Sequence, residues 1–295
     1  MRSNPHSFGI RCVTSNTILT KNGICGILYM KVKETLQTGK ELKMNIIVLD
    51  TETTGLDKPF CYDLGYVIMD TETGNIVDFR CFVIEQVWHN LPLFESAYYK
   101  EKRPKYVTMM RKHDAMLTKW GYAMRELKND IHKYGVTDVY AYNSDFDDKV
   151  IAYNCEWFKT INPLENIAIH DIWGYASQFI TNTDEYKTFC ESNSRFTDTG
   201  NFKGSAEVVY QYITQNPEFI EEHMGLFDAE IESSILLYCI TNEGAEWNSD
   251  YHVNKILPRI VAKPFTIKFN GEEVFTGRYY KKYVRNDVYN FSIRE

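Results

Sequence analysis

Asp50 and Glu52 stand two residues apart at the end of an apolar, β-branched run, Asn45-Ile-Ile-Val-Leu-Asp50. Residues i and i+2 of a strand point to the same face, so the two carboxylates project side by side from the strand end. Adjacent carboxylates repel each other, and burying such a pair without a counter-cation is costly. Hard divalent ions such as Mg²⁺ or Mn²⁺ offset that cost and take oxygen ligands. A bare D-x-E at a solvated strand end does none of this, so the rest of the chain decides whether the pair has partners.

Two later segments carry further groups of this kind. Tyr142-Asn-Ser-Asp-Phe-Asp147 follows an expected strand and brings Asp147, with Asp145 and Asp148 beside it. His223-Met-Gly-Leu-Phe-Asp228 sets an imidazole five residues before another carboxylate. Five residues on one helix turn through about 500°, a net 140°, so His223 and Asp228 cannot both face one site from within it. The helix must start between them, where Gly225 lies. That leaves His223 on an approach loop and Asp228 in the first turns, sharing a face with Ile231, Glu232 and Ile235.

The strand followed by Asp50-Thr-Glu52-Thr-Thr-Gly-Leu56 resembles the first motif of the DEDDh 3′ to 5′ exonucleases, which have a ribonuclease H-like fold. Asn143 to Asp147 is similar to that family's N-x-x-F-D motif, and His223 to Asp228 to its closing H-x(4)-D motif; together the three span about residues 45 to 240. The resemblance implies two-metal hydrolysis of a phosphodiester. It implies two Mg²⁺ or Mn²⁺ ions bridged by Asp50, a cage completed by Glu52, Asp147 and Asp228, and His223 as general base. A carboxylate fixed by a helix suits a metal, and a loop histidine that titrates near neutrality suits the attacking water. Thr53, Thr54 and Asn143 are then expected to contact the terminal nucleotide, and Leu56 and Phe146 to wedge or stack against bases. For Phe146, core packing is an equal reading.

The elements that must position these groups are legible as periodicity. Asn45 to Asp50 fits a central strand, and strand-like runs at about 62 to 71 and 75 to 85 flank the turn Thr71-Glu-Thr-Gly74. Residues 86 to 113 read as a long loop with short helices, an insertion that proofreading relatives lack. Ala115 to Tyr134 has helix spacing at Met116, Leu117, Trp120, Met124, Leu127 and Ile131. Val136 to Tyr142 and Asn166 to His170 are further strands, with helices from about Phe146 to Phe158 and Leu226 to Thr241. His170-Asp171 reads as a strand end and helix cap before it reads as an acid-base pair. The expected fold class is α/β: a mixed sheet of three antiparallel opening strands and then parallel strands, flanked by helices.

Three regions are expected: residues 1 to 43 as a poorly ordered extension, 44 to 245 as the exonuclease domain, and 246 to 295 as an appended hairpin rich in aromatic and basic residues. The first 44 residues carry a net charge of +5, leaving −12 for the rest of a chain whose total is −7. That balance excludes a protein gripping long duplexes along a basic face. Two bound divalent ions would instead add +4 locally and draw in a single-stranded 3′ end. Seven scattered cysteines without a C-x-x-C pair exclude a zinc ribbon and a disulfide framework. The apolar run Ile24 to Met30 is far short of the roughly 18 to 20 residues of a bilayer span, and no cleavage site follows it, so a cytoplasmic location without membrane contact is expected. No G-x-G-x-x-G, G-x-x-x-x-G-K-[ST], H-E-x-x-H or G-x-S-x-G occurs, so no nucleotide cofactor is expected.

The functional expectation is therefore a 3′ to 5′ exonuclease acting on nucleic acid 3′ ends, with single-stranded DNA foremost and the oligomeric state open. Its size, insertion and tail agree with a bacteriophage or mobile-element source. Two rivals share the fold: an exoribonuclease with the same catalytic residues, and a non-catalytic nucleic-acid-binding module, which would have no need to keep five costly groups converged. Recognition of a 2′-OH leaves no mark in any motif.

Overall fold

The computed structural model describes residues 44–198 and 200–253 in full, together with the backbone of 260–269, 272–282 and 290–292. The expected extension over residues 1 to 43 lies outside the described residues.

Nine buried or half-buried residues open the domain as β1 (Asn45–Thr53), with Ile46, Ile47, Val48 and Leu49 all at 0 to 1% exposure. Both faces of this strand are therefore covered, as its unbroken apolar run requires. β2 (Cys61–Asp70) and β3 (Ile76–Ile84) follow as an antiparallel meander. β1 runs three residues past Asp50 because β2 keeps pairing with it through Thr51↔Leu64 and Glu52↔Asp63.

The segment after β3 is a folded crossover built from α1 (Glu85–Trp88), α2 (Leu91–Phe94), a 3₁₀ turn at Lys100–Lys102 and α3 (Arg103–Lys112). Trp88, Phe94 and Tyr106 anchor it in the core, edge-to-face with one another or with Tyr62. The crossover returns the chain to β4 (Met116–Thr118), which pairs parallel with β3.

Here the structure corrects an expectation: the helix anticipated from Ala115 starts at Trp120, as α4 (Trp120–Tyr134). Met116 and Leu117 belong to an edge strand and are 45% and 37% exposed, whereas Trp120, Met124, Leu127 and Ile131 are buried. The apolar spacing before Trp120 matched a helix by coincidence, and the free edge of β3 captured those residues instead.

β5 (Val136–Ala141), α5 (Ser144–Phe158), β6 (Ala168–Asp171), α6 (Ile172–Phe179), α7 (Asp184–Ser192), α8 (Ala206–Ile213) and α9 (Gly225–Asn242) complete the domain. The sheet order is β4-β3-β2-β1-β5-β6, with β5 and β6 parallel to β1. Three antiparallel strands followed by strands parallel to the first, with helices on both faces, is the ribonuclease H-like arrangement the motifs called for. α9 lies along β1 and β2 with α6 and α8 beside it, while α4 and α5 pack together near β5. Among the described residues no helix is long and apolar enough to cross a membrane.

A separate three-stranded sheet is formed by β7 (Ile260–Phe269), β8 (Glu272–Lys282) and β9 (Asn290–Ser292), all antiparallel. The aromatic and basic face expected of this tail involves side chains outside the described set.

Candidate active site

β1 delivers its two carboxylates to one face of the sheet. Asp50 lies opposite Gly65 and Glu52 opposite Asp63, so all four positions share the face on which α9 rests. That approach is very close. A Cβ on Gly65 would stand 1.9 Å from Leu226 N, and one on Gly225 would stand 2.9 Å from Asp50 O. The two glycines let the first turn of α9 touch the backbone of β1 and β2, which places Asp228 beside Asp50 and Glu52.

The partner of this contact is Asp63, fully buried. Its Oδ2 accepts the Gly225 N–H at 2.8 Å and the Tyr106 hydroxyl at 2.6 Å, and its Oδ1 accepts the Cys81 thiol at 3.6 Å. No side chain caps α9 from its own N-cap residue, Met224, so a carboxylate from β2 takes up one of its free amides. Burial pushes the Asp63 carboxyl up to about 6, against the pull of those donors.

Asp147 arrives from the opposite face. β1 pairs with β5 only as far as Val48↔Tyr140, which leaves the Thr51 amide without a strand partner on that side. Asp147, in the first turn of α5, accepts both that N–H at 3.0 Å and the Thr51 hydroxyl at 2.6 Å. The turn before α5 is held by Asn143 in the left-handed region, φ 64°, whose N–H donates to Asp171 Oδ1 at 2.8 Å. Asp171 also accepts the Trp173 N–H at 2.9 Å as the N-cap of α6, in keeping with the helix-cap reading.

His223 precedes α9 with a left-handed φ of 50°, and the helix begins two residues later, as the spacing required. Glu52, His223 and Asp228 each present a ligand-type atom, all within 4.8 Å of one another. Glu221 Oε2 stands 3.7 Å from His223 Nδ1. Glu232, one turn beyond Asp228, accepts the Tyr142 N–H at 3.2 Å.

The electrostatics describe a site short of positive charge. Burial, then Asp147, Glu232, Asp228 and Glu52, raise the Asp50 carboxyl well above its ordinary range. Glu52 is pushed up to about 8 by burial and by Asp63, and Asp228 to about 9 by burial, Glu221 and Glu52. Burial takes Asp147 to about 7 despite its two bonds from Thr51, and takes Glu221 to about 7 with help from Glu207. Glu232 rises for the same reasons, burial first and then Asp147 and Asp228. Burial lowers the His223 imidazole. Asp50 Oδ2 and Asp228 Oδ1 are buried without any hydrogen-bond partner. Such a donor set, oxygen-rich, mutually repelling and partly unsatisfied, fits hard divalent cations.

The five catalytic candidates thus meet at one end of the sheet; the substrate candidates are more dispersed. Leu56 is 81% exposed in the loop after β1. Thr54 is buried and its N–H already donates to Phe60 O at 3.0 Å, so it supports that loop from within. The Thr53 hydroxyl donates to Gly55 O at 3.2 Å. Phe146 is partly buried against the core, which favours its packing role, and Asn143 is exposed at the turn before α5. Sequence reasoning assigned no role to Asp63, Glu221 or Glu232. Of these only Glu232 had a local signal, its place one turn after Asp228.

No protein-family model matches the sequence, and neither does any curated protein. Solved structures are similar. One is the nuclease domain of 3′hExo, a DEDDh family member, bound to rAMP: 11% identity, TM-score 0.43, covering 72% of this chain and 100% of that one. A second shows 3′-end-specific recognition of a histone mRNA stem-loop by a 3′-exonuclease: 10% identity, TM-score 0.46, covering 68% and 83%. E. coli exonuclease I in complex with a dT13 oligonucleotide shares 10% identity and a TM-score of 0.41, and the matched region spans 68% of this chain and 41% of that enzyme.

Proposed function

We propose that this chain is a metal-dependent 3′ to 5′ exonuclease that removes nucleotides from the 3′ end of single-stranded DNA. The observation that carries the reading is the convergence of Asp50, Glu52, Asp147 and Asp228, from three separate elements, with two buried carboxylate oxygens left unpartnered. A binding module would gain nothing from so costly a cluster. Asp50, Glu52, Asp147 and Asp228 hold two Mg²⁺ or Mn²⁺ ions, which when bound supply stabilisation of the attacking and leaving oxygens of an in-line displacement.

The chain's own residues do the rest. His223, its protonation disfavoured by burial, is neutral at pH 7 and accepts a proton from the water whose oxygen attacks the phosphorus. The bond between phosphorus and the 3′-oxygen breaks, that oxygen takes up a proton, and a nucleoside 5′-monophosphate leaves. Thr51 locks Asp147 in place through two hydrogen bonds, and Asp63 locks the start of α9. Exposed Leu56 meets the terminal base.

The test uses 5′-labelled DNA and RNA oligonucleotides, single and double stranded, with Mg²⁺, Mn²⁺ or EDTA. A ladder shortening from the 3′ end of single-stranded DNA, absent in EDTA, is the expected result. Preferential digestion of RNA would assign the chain as an exoribonuclease, and binding without cleavage in either metal would overturn the enzymatic reading.

A further inference from the structure

The crossover between β3 and β4 reaches over both loops that frame the carboxylates. Ser96 Oγ lies 3.5 Å from Thr54 O on one side, and Lys105 pairs with Glu222 on the other. Between them the ring of Tyr99 lies flat on the imidazole of His223, with centroids 4.2 Å apart and planes 10° from parallel. The crossover is a rigid support for this contact, because Phe94 and Tyr106 are fully buried and the Arg103 guanidinium covers Trp88 and Phe94 at 4.4 and 4.9 Å. Tyr98 braces Tyr99 edge-on at 4.8 Å.

His223 has little else to orient it. Its backbone is in the left-handed region, and Glu221 at 3.7 Å is beyond hydrogen-bond length. Among the described residues no hydrogen bond holds the ring. The side chain is 32% exposed, so a free imidazole there would sample several rotamers. A parallel stack removes that freedom by fixing the plane of the ring. Tyr99 is itself half-buried, with Glu52, Glu221 and Asp228 among the charges acting on its hydroxyl, so the stack stands over the carboxylates.

We propose that Tyr99 is the positioning residue for His223: its ring holds the imidazole plane toward Glu52 and Asp228, and it acts through the histidine, with no contact to substrate of its own. This rests on the exonuclease reading of the same site. It also gives the crossover a purpose, since the segment that carries Tyr99 is the one the motifs do not explain.

The test uses the full chain as wild type, Tyr99→Phe, Tyr99→Ala, His223→Ala and the Tyr99→Ala/His223→Ala double variant. Single-turnover cleavage of a 5′-labelled single-stranded DNA is measured at saturating Mn²⁺, with KM taken separately. Tyr99→Ala should lower the rate by about 3- to 10-fold, the equivalent of one aromatic stacking contact, with KM unchanged. Tyr99→Phe should restore the wild-type rate. In the His223→Ala background, removal of Tyr99 should change nothing further, because groups acting as a unit are not additive. A raised KM with an unchanged rate, an equal loss in both backgrounds, or a Tyr99→Phe as slow as Tyr99→Ala would overturn the proposal.

A second readout is independent of activity. The ring-proton resonances of His223 in ¹³C-histidine-labelled protein should lie upfield in wild type and Tyr99→Phe, and move downfield in Tyr99→Ala. Absence of that shift refutes the stack even where cleavage is normal. A clear shift in a protein that cleaves nothing refutes the exonuclease reading and leaves the orientation of His223 standing.

Discussion

Asp50 and Asp228 each bury a carboxylate oxygen that finds no donor, and each faces other acids. Replacing either with Asn removes a charge and adds no bulk, so the fold survives while the metal site loses a ligand. Asp50→Asn and Asp228→Asn are expected to abolish Mg²⁺-dependent cleavage and to raise the melting temperature of the metal-free protein at pH 8, because folding then no longer has to keep that carboxyl protonated where the unfolded chain would ionise it. Nuclease assays beside calorimetric melts check both, and full activity in either variant would remove it from the metal cage. His223 makes a separable case. Loss of a general base costs about 10²- to 10⁴-fold in rate, and His223→Ala should do so with Mn²⁺ affinity scarcely altered in a calorimetric titration. Because Glu52, His223 and Asp228 lie within 4.8 Å of one another, the alternative is concrete: affinity falling in step with rate would make His223 a ligand.

The decisive element is the start of α9, seated on β1 and β2 through Gly65 and Gly225. A methyl group at Gly225 would meet Gly65 N at 2.7 Å and Asp50 O at 2.9 Å, both backbone atoms held by strand pairing. Neither can give way cheaply. Gly225→Ala is expected to destabilise by about 3 kcal/mol, the upper end of overpacking costs, and to push Asp228 out of reach of Asp50. Denaturant melts and cleavage rates should fall together, whereas a stable, active variant would mean the helix can lift without consequence. The second such joint is Asp171, which holds the turn before α5 and caps α6. Asp171→Ala should cost about 1 kcal/mol or more as a lost cap, and should slow cleavage through Asp147, read by the same two measurements.

Across the whole molecule the cluster makes stability depend on pH in an unusual direction. In the unfolded chain Asp and Glu ionise near pH 4, whereas folded Asp147, Glu52 and Asp228 hold their protons to about 7, 8 and 9. Below about pH 4 both states are protonated and the contribution is fully present. As pH rises from there through 9, the unfolded chain releases protons that the folded one keeps, so stability is lost. The metal-free protein should therefore melt at lower temperature at pH 8 than at pH 5. Mg²⁺ or Mn²⁺ should raise the melting temperature, and more so at pH 8, because cations bind the ionised cluster and only the folded state gathers it. Scanning calorimetry at the two pH values with and without metal measures this; a metal effect equal at both would argue against ligation by these carboxylates.

Local physics settles much of the site in the sequence. Side-chain alternation along a strand puts Asp50 and Glu52 on one face whatever surrounds them, and the helical repeat forbids His223 and Asp228 from sharing a helix face, so α9 had to begin near Gly225. Other features belong to pairings that no local pattern encodes. Met116–Thr118 is a strand because β3 offers it a free edge, and Asp147 finds Thr51 because β5 stops short of it. Asp63 caps a helix remote in the chain, and Tyr99 lies on His223 because a crossover with a buried aromatic anchor carries it there. Residue types and their spacing determine which groups can do chemistry. Only the assembled sheet, by where its edges end and its glycines allow contact, decides which of them meet.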